Sequence, residues 1–246
     1  MRDRESWLAS TMIELAETGE GTDEEAYARA FTKRLAELLS PAEIGLLLPA
    51  GPGHPAVTTG SSERAVGLAL LEASGTAGPG AECYRTGAAV RQESLAAARS
   101  RWPEFATAAR AAGLWIASAM PMRHHDETIG AVSVLSARGH LVGAADDSLA
   151  QTLVEMATIG VTQQRAYRLS QQTARQLQQA LDSRVVIEQA KGALAAWLDC
   201  TPDDAFGLLR DYARSRSRRL TEVASDVVHG VLTPGALTGI KRAQRY

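Results

Sequence analysis

Between Ala145 and Leu198 the chain contains no proline, and only Gly160 and Gly192 interrupt a run of helix-forming residues. A glycine costs a helix on the order of 1 kcal/mol relative to alanine, whereas proline breaks it, so this stretch predicts one long helix or two nearly continuous ones. Its apolar pattern is informative. Leu149, Leu153, Met156, Gly160, Gln163, Tyr167, Ser170, Ala174, Leu177 and Leu181 alternate steps of four and three, the seam of a two-stranded coiled coil. Gln163 and Ser170 weaken that seam, and a helix packed on its own domain is the competing reading. Continuing the register places Arg184, Glu188 and Lys191 on the seam, while Val186, Ile187, Ala190, Leu194 and Trp197 carry the apolar stripe. The buried face therefore rotates near residue 183, where a dimerising helix is expected to become the first helix of a separately packed bundle.

With 246 residues the chain exceeds the usual size of one domain. Upstream of the long helix, helical spacing joins Trp7, Met12, Leu15 and Ala16, and again Tyr27, Phe31, Leu35 and Leu38 after the acidic start at Asp23, with Pro41 as the stop. IGLLLPA at 44–50 reads as a strand entering a hairpin through GPGHP. A helix is predicted over 63–71, a Gly-rich turn region before Cys83, and a short helix from Pro103. LWIASAMPM at 114–122 and IGAVSVLSA at 129–137, joined by the polar RHHDET, read as an antiparallel pair at the centre of a sheet. The fold class is thus α+β: an N-terminal antiparallel sheet flanked by helices, a long connecting coiled-coil helix, and a C-terminal three-helix bundle. The expected divisions are 1–165, 166–183, 184–235 and a basic tail at 236–246.

Several functional classes are disfavoured by what the sequence lacks. No apolar run approaches the roughly 20 residues that span a bilayer, and MRDRESWLAS at the start alternates charges where a targeting segment would be basic then apolar, so a cytoplasmic protein with no membrane partner is expected. Cys83 and Cys200 lie far apart without metal-ligand spacing. Neither a disulfide framework nor a zinc site is expected, and no metal or cofactor. There is no Gly-x-Ser-x-Gly, no Walker loop and no dinucleotide fingerprint, so the chain is expected not to be an enzyme. His124 and His125 are adjacent on a turn, where neighbouring side chains point apart.

The formal net charge of −2 conceals an asymmetry. Residues 1–164 hold 13 Lys and Arg against 20 Asp and Glu, and residues 165–246 hold 13 against 8. A basic third on an acidic body suits a chain of which only that third meets a polyanion; charge alone is equally compatible with a solvated basic face. Within the third, Thr201, Pro202, Asp203 and Asp204 form a helix start, followed by Ala205, Leu208, Leu209 and Tyr212 as a core face. A last helix is predicted from about Thr221, with Val223, Val227 and Val228 inward and Gly230 as its stop. Between these two helices, RDYARSRSRRL holds five arginines within ten residues; Arg210, Arg214 and Arg218 share a face if the helix extends that far, with Arg216 and Arg219 beside them. Arginine grips phosphate bidentately and stacks on bases, so this choice over lysine favours nucleic acid. Gly192, mid-helix beside Lys191, implies a close approach to the backbone by a packed helix or a ligand.

The stretch SRVVIEQAKGALAAWLDCTPDDAFGLLRDYARSRSRRLTEVASDVVHG at 183–230 resembles the ANTAR domain, a three-helix RNA-binding module of bacterial transcription antiterminators. Arg184, the IEQAKG run from Ile187 to Gly192, the Ala205-Phe206 and Leu209-Arg210 pairs, and the Leu220–Val228 helix carry the resemblance; Ala193, where family members often have a long apolar residue, departs from it. The resemblance implies a homodimer that binds tandem RNA hairpins through their loops and so stabilises an antiterminator. Loop bases offer stacking faces and hydrogen-bonding edges to a rigid helical face. The expected contacts are Lys191, with Gly192 beside it, and Arg210 at the loop, Arg184 on the neighbouring backbone, and Arg214 and Arg216 on phosphates. Tyr212 is placed either on a base or in the core.

Residues 1–165 resemble a GAF domain of the subtype that accompanies ANTAR modules in actinobacteria, through GPGAECYRTGAAV at 78–90, RWPEFATAARAAGL at 101–114, AMPMRHHDETIGAVSVL at 119–135, and Asp146, Leu149 and Ala150 of the following helix. That implies a six-stranded antiparallel sheet and a sensor pocket for an unknown small-molecule ligand. Cyclic-nucleotide motifs and the context of a bilin-bearing cysteine are missing. Trp102, Phe105, Trp115 and Met120 are candidates for the pocket or, by default, the core. The competing function is a DNA-binding helical regulator. Against it stands the predicted last helix, acidic and apolar, with the cations before it. A surface for an acidic protein partner is the third reading.

Overall fold

The computed structural model describes residues 2–19, 23–51 and 56–237. It divides into two compact units, residues 1–169 and 170–246. In the first, strands β1 (Glu43–Leu48), β2 (Val57–Gly60), β3 (Val90–Ser94), β4 (Ile116–His124) and β5 (Glu127–Ser136) form one antiparallel sheet in the order β2-β1-β5-β4-β3. The two hairpins expected from the apolar runs are present: β4 pairs with β5 through Met120↔Val132 and its neighbours, and β1 pairs with β2 through Leu46↔Thr59. GPGHP lies mostly outside the described residues. Five strands are found among the described residues where the resemblance implied six.

Side-chain alternation divides the sheet between two cores. On one face Ile44, Leu46 and Leu48 of β1, Met120 and Met122 of β4, and Val132 and Val134 of β5 pack against α2 (Glu24–Leu38) and the start of α6 (Ala144–Leu198), with α1 (Arg2–Gly19) alongside. On the other, Ala117, Ala119, Ala131 and Leu135 meet α3 (Glu63–Ala73), α4 (Pro79–Thr86) and α5 (Pro103–Ala111). Trp102 and Phe105 lie in this second core.

The segment expected to be a Gly-rich turn is instead helix α4. Pro79 occupies its first turn after the extended Gly78, and Gly87, left-handed at φ 67°, closes it. Its start is capped from a distance: the buried Glu72 carboxylate accepts the Ala81 N–H at 3.0 Å. A side chain at Gly78 would fall 2.8 Å from Glu72 Cγ and Cδ, so the glycine makes room for its cap.

The long helix is continuous, Ala144–Leu198. The first half of its expected seam is not free for a partner. Leu153 is buried with Ala150, Val154, Ala157 and Val161 in the first unit's own core, and Gly160 lies against Tyr27. From Ser170 to Asp182 every residue is exposed, and Leu177 and Leu181 stand 62% and 59% exposed.

The second unit is the three-helix bundle of the end of α6, α7 (Pro202–Ser215) and α8 (Leu220–Val228). Ala190 and Leu194 of α6, Ala205, Leu209, Tyr212 and Ala213 of α7, and Val223, Ala224 and Val227 of α8 are its core, with Leu237 added. The rotated stripe past residue 183 is thus realised except at Trp197, and the inward face expected of the last helix except at Val228; both are exposed, each near the end of its helix. Thr201 caps α7, its Oγ1 accepting the Asp204 N–H at 3.2 Å. The tail from residue 238 lies outside the described residues.

Candidate nucleic-acid interface

Arg184, Glu188 and Lys191 stand at i, i+4 and i+7 on α6 and so share one helical face. Lys191 is held there. Its Nζ lies 3.0 Å from both Glu188 carboxylate oxygens and 5.7 Å from the centroid of the Phe206 ring, which leaves the side chain 18% exposed. Such a cation over an aromatic face is attracted by the ring quadrupole. Arg184 is exposed and has no ion pair among the described residues. Gly192 is exposed too, and a Cβ built on it would meet nothing within 4 Å. The packed helix expected against this backbone is therefore not what the glycine accommodates.

Phe206 extends the face onto α7. It precedes Arg210 by one turn, and Arg214 follows by another, so the three share a side of the helix. Arg210 is exposed, with only a loose 3.6 Å approach to Asp211. Phe206 thereby links Lys191 of one helix to Arg210 of the next on a continuous surface. Sequence reasoning passed over both Phe206 and Glu188 as functional; the signal for Glu188 was its i, i+3 spacing to Lys191.

The arginine patch does not stay together. Helix α7 ends at Ser215, Ser217 turns the chain at φ 50°, and Arg218 leaves the Arg210–Arg214 face. It binds α8 instead, with Asp226 at 2.8 Å and Glu222 at 3.7 Å. Arg216, at the C-cap of α7, stacks 5.7 Å from the Tyr212 ring centroid. Tyr212 itself is 9% exposed and part of the bundle core, the second of its two expected placements. Among the described residues Arg184 and Arg214 have no ion pair, and Arg210 only the loose one with Asp211.

In the first unit the other candidates resolve differently. Burial pushes the Cys83 thiol up to about 12, a poor nucleophile at neutral pH. His124 and His125 do not point apart; left-handed His125, φ 54°, brings the ring centroids to 4.3 Å. Among the described residues no cluster of three or more metal-ligating side chains is found. Trp102 donates its indole N–H to Glu82 at 2.9 Å from within the core, and the guanidinium groups of Arg110 and Arg138 each lie over the Trp115 ring, at 4.7 and 4.6 Å from its centroid. No helix among the described residues is long and apolar enough to cross a membrane.

Comparison with known proteins falls on the same division. Among solved structures, the GAF domain from an Acinetobacter phosphoenolpyruvate-protein phosphotransferase is similar to the first unit, with a TM-score of 0.50 at 12% identity over 68% of this chain and 96% of that one. The GAF domain/HD domain protein from Geobacter sulfurreducens aligns with a TM-score of 0.44 at 17% identity, over 58% and 95%. No curated protein matches the chain by sequence. The first unit thus has the GAF fold, and the model of the ANTAR domain matches residues 175–228, the segment that carries Arg184, Lys191 and Arg210.

Proposed function

We propose that the chain is a cytoplasmic, non-enzymatic regulator whose C-terminal bundle binds the loops of paired RNA hairpins, acting in transcription antitermination under control of the N-terminal GAF-like sensor. One observation carries this reading. Inside the ANTAR-matched segment, Lys191 lies over Phe206, which stands one helical turn before Arg210, beside a glycine at whose Cβ position nothing among the described residues comes within 4 Å. An exposed helix backbone with a held cation suits the close approach of a loop base, and Arg184 and Arg214 flank it as phosphate contacts. The acidic α8, which engages Arg218, offers little to a DNA groove. Leu177 and Leu181 form the part of the seam left open for a second copy, giving a homodimer with two such surfaces for two hairpins.

Binding of the full chain to a tandem-hairpin RNA, and to the same sequence as duplex DNA, across a salt titration tests the proposal. Preference for the RNA, lost in Lys191→Ala/Arg210→Ala, is expected. Equal affinity for both nucleic acids, or an unchanged double variant, overturns it in favour of a DNA-binding or protein-binding role.

A further inference from the structure

Within the first unit a cavity of about 610 Å³ opens between β3 and β4 on one side and the first turns of α6 on the other. That volume lies in the range of roughly 300–1,000 Å³ that small organic ligands occupy. Its inner wall includes Met120, Val154 and Ser118, the last 6% exposed.

Charge is arranged on it by the backbone. The sheet has two register breaks, one between Val90 and Glu93 on β3 and one between Met122 and Arg123 on β4. Bulges re-aim side chains, and both fall on residues that line this cavity: Arg91 and Gln92 at the first, Arg123 at the second. Gln92 fixes the opposite wall, its side-chain amide donating to the Val142 carbonyl at 2.9 Å and accepting the Val142 N–H at 3.0 Å. Val142 leads into α6, from which Asp147, Gln151 and Glu155 line the cavity at spacings of four, a single helical stripe. Two arginines and two carboxylates thus stand, exposed, around the mouth of one cavity over its buried apolar floor, and among the described residues none of the four has an ion pair.

We propose that this cleft binds a small zwitterion, of amino-acid to dipeptide size, with its carboxylate on the arginine side, at Arg91 and Arg123, its ammonium group on the α6 side, where Asp147 and Glu155 stand two turns and roughly 12 Å apart as alternative partners, and a short apolar body on Met120 and Val154. A simple anion would leave the two carboxylates facing it uncompensated, and a simple cation would leave the two arginines so; a zwitterion answers both ends. The proposal deepens, and rests on, the reading of the first unit as a sensor. Its wall belongs to the helix that also carries Arg184 and Lys191.

Isothermal titration of the full chain with 6-aminohexanoate and with the dipeptide Ala-Leu tests it, alongside hexanoate, hexylamine, N-acetyl-Ala-Leu and Ala-Leu-amide. Each analogue lacking one charge is expected to bind about tenfold more weakly than its parent. Arg91→Gln/Arg123→Gln should abolish the discrimination against the carboxylate-free analogues, and Asp147→Asn/Glu155→Gln that against the amine-free ones, with circular dichroism confirming that each variant folds. No saturation by either zwitterion at about 10 mM overturns the assignment, and so does binding indifferent to both substitution pairs. RNA affinity with and without the bound zwitterion is read separately: an unchanged value leaves the binding site established and removes its regulatory meaning.

Discussion

The hydroxyl of Tyr27 on α2 occupies the space that any side chain at Gly160 on α6 would need, with Tyr27 Cζ only 2.7 Å from where a Cβ would stand. Tyr27 is 3% exposed, and burial holds its phenol up at about 12. Gly160→Ala is therefore expected to destabilise the first unit despite a helix-propensity gain of about 1 kcal/mol, because forcing atoms into a packed core costs about 1–3 kcal/mol. Thermal denaturation should show a lower Tm, partly restored by Tyr27→Phe in the same chain. A rise in Tm for Gly160→Ala alone would contradict the packing.

Glu72 makes stability depend on pH. Burial raises its pKa to about 7 from an ordinary 4.5, against the lowering effect of the Ala81 and Gly80 amides and Ser133. Between about pH 4.5 and 7 the folded chain holds a proton that the unfolded chain has released, so stability falls as pH rises through that window and levels off above it. The span is of order 3 kcal/mol. Urea denaturation from pH 4.5 to 8 should show the decline, and Glu72→Gln should flatten it; an equal slope in both proteins would assign the dependence elsewhere.

Gly192 separates folding from binding. With nothing among the described residues packed within 4 Å of a Cβ there, Gly192→Ala should stabilise the second unit by about 1 kcal/mol in chemical denaturation. If RNA approaches that backbone, the same substitution should weaken hairpin binding by about tenfold or more. Tighter folding with unaltered RNA affinity would show that the glycine serves neither.

Arg218 and Arg210 should behave as opposites although they stand eight residues apart in one basic run. Removal of Arg218, tied to Asp226 and Glu222, is expected to lower the Tm and leave RNA affinity and its salt dependence unchanged. Arg210→Ala should leave the Tm unchanged and weaken RNA binding. Matching losses of affinity in a filter-binding series would show that the patch acts as one.

The open seam calls for a measurement of mass. Leu177→Asp/Leu181→Asp should shift the full chain towards monomer in sedimentation equilibrium, since two charges would face each other across a seam that needs apolar residues. A monomeric wild type, or a dimer indifferent to these changes, would place the self-association surface elsewhere.

How far these features could be read from the sequence depends on whether their causes are local. The β4–β5 hairpin and the start of α7 were legible, because apolar runs flanking a polar turn, and Thr201 followed by Pro202, act within a few residues. Helix α4 was not, because the Gly-Pro-Gly that reads as a turn is capped by Glu72, which only the tertiary fold brings near. Strand β3 is short and polar, with little apolar pattern to betray it. Gly160 fitted the coiled-coil seam in the sequence, and only the tertiary fold brings Tyr27 against it. Lys191 and Arg210 were identified from their own segments, but the Phe206 that joins them depends on how two helices meet. The cleft of Arg91, Arg123 and Asp147 draws on three separate elements and has no local signature.

The stretch from Ser170 to Asp182, in which every side chain is exposed, also bears on how the protein would be handled by a protease. A helix with no buried face is held by propensity and by local side-chain pairs such as Gln178 donating to Asp182 at 2.8 Å, and such a segment opens at little cost. Arg175 lies within it, so trypsin at low protein concentration should cut there first and release the two units as separate fragments. Raising the concentration until a second copy covers Leu177 and Leu181 should protect the same bond, making the cleavage rate of one peptide linkage a gauge of self-association.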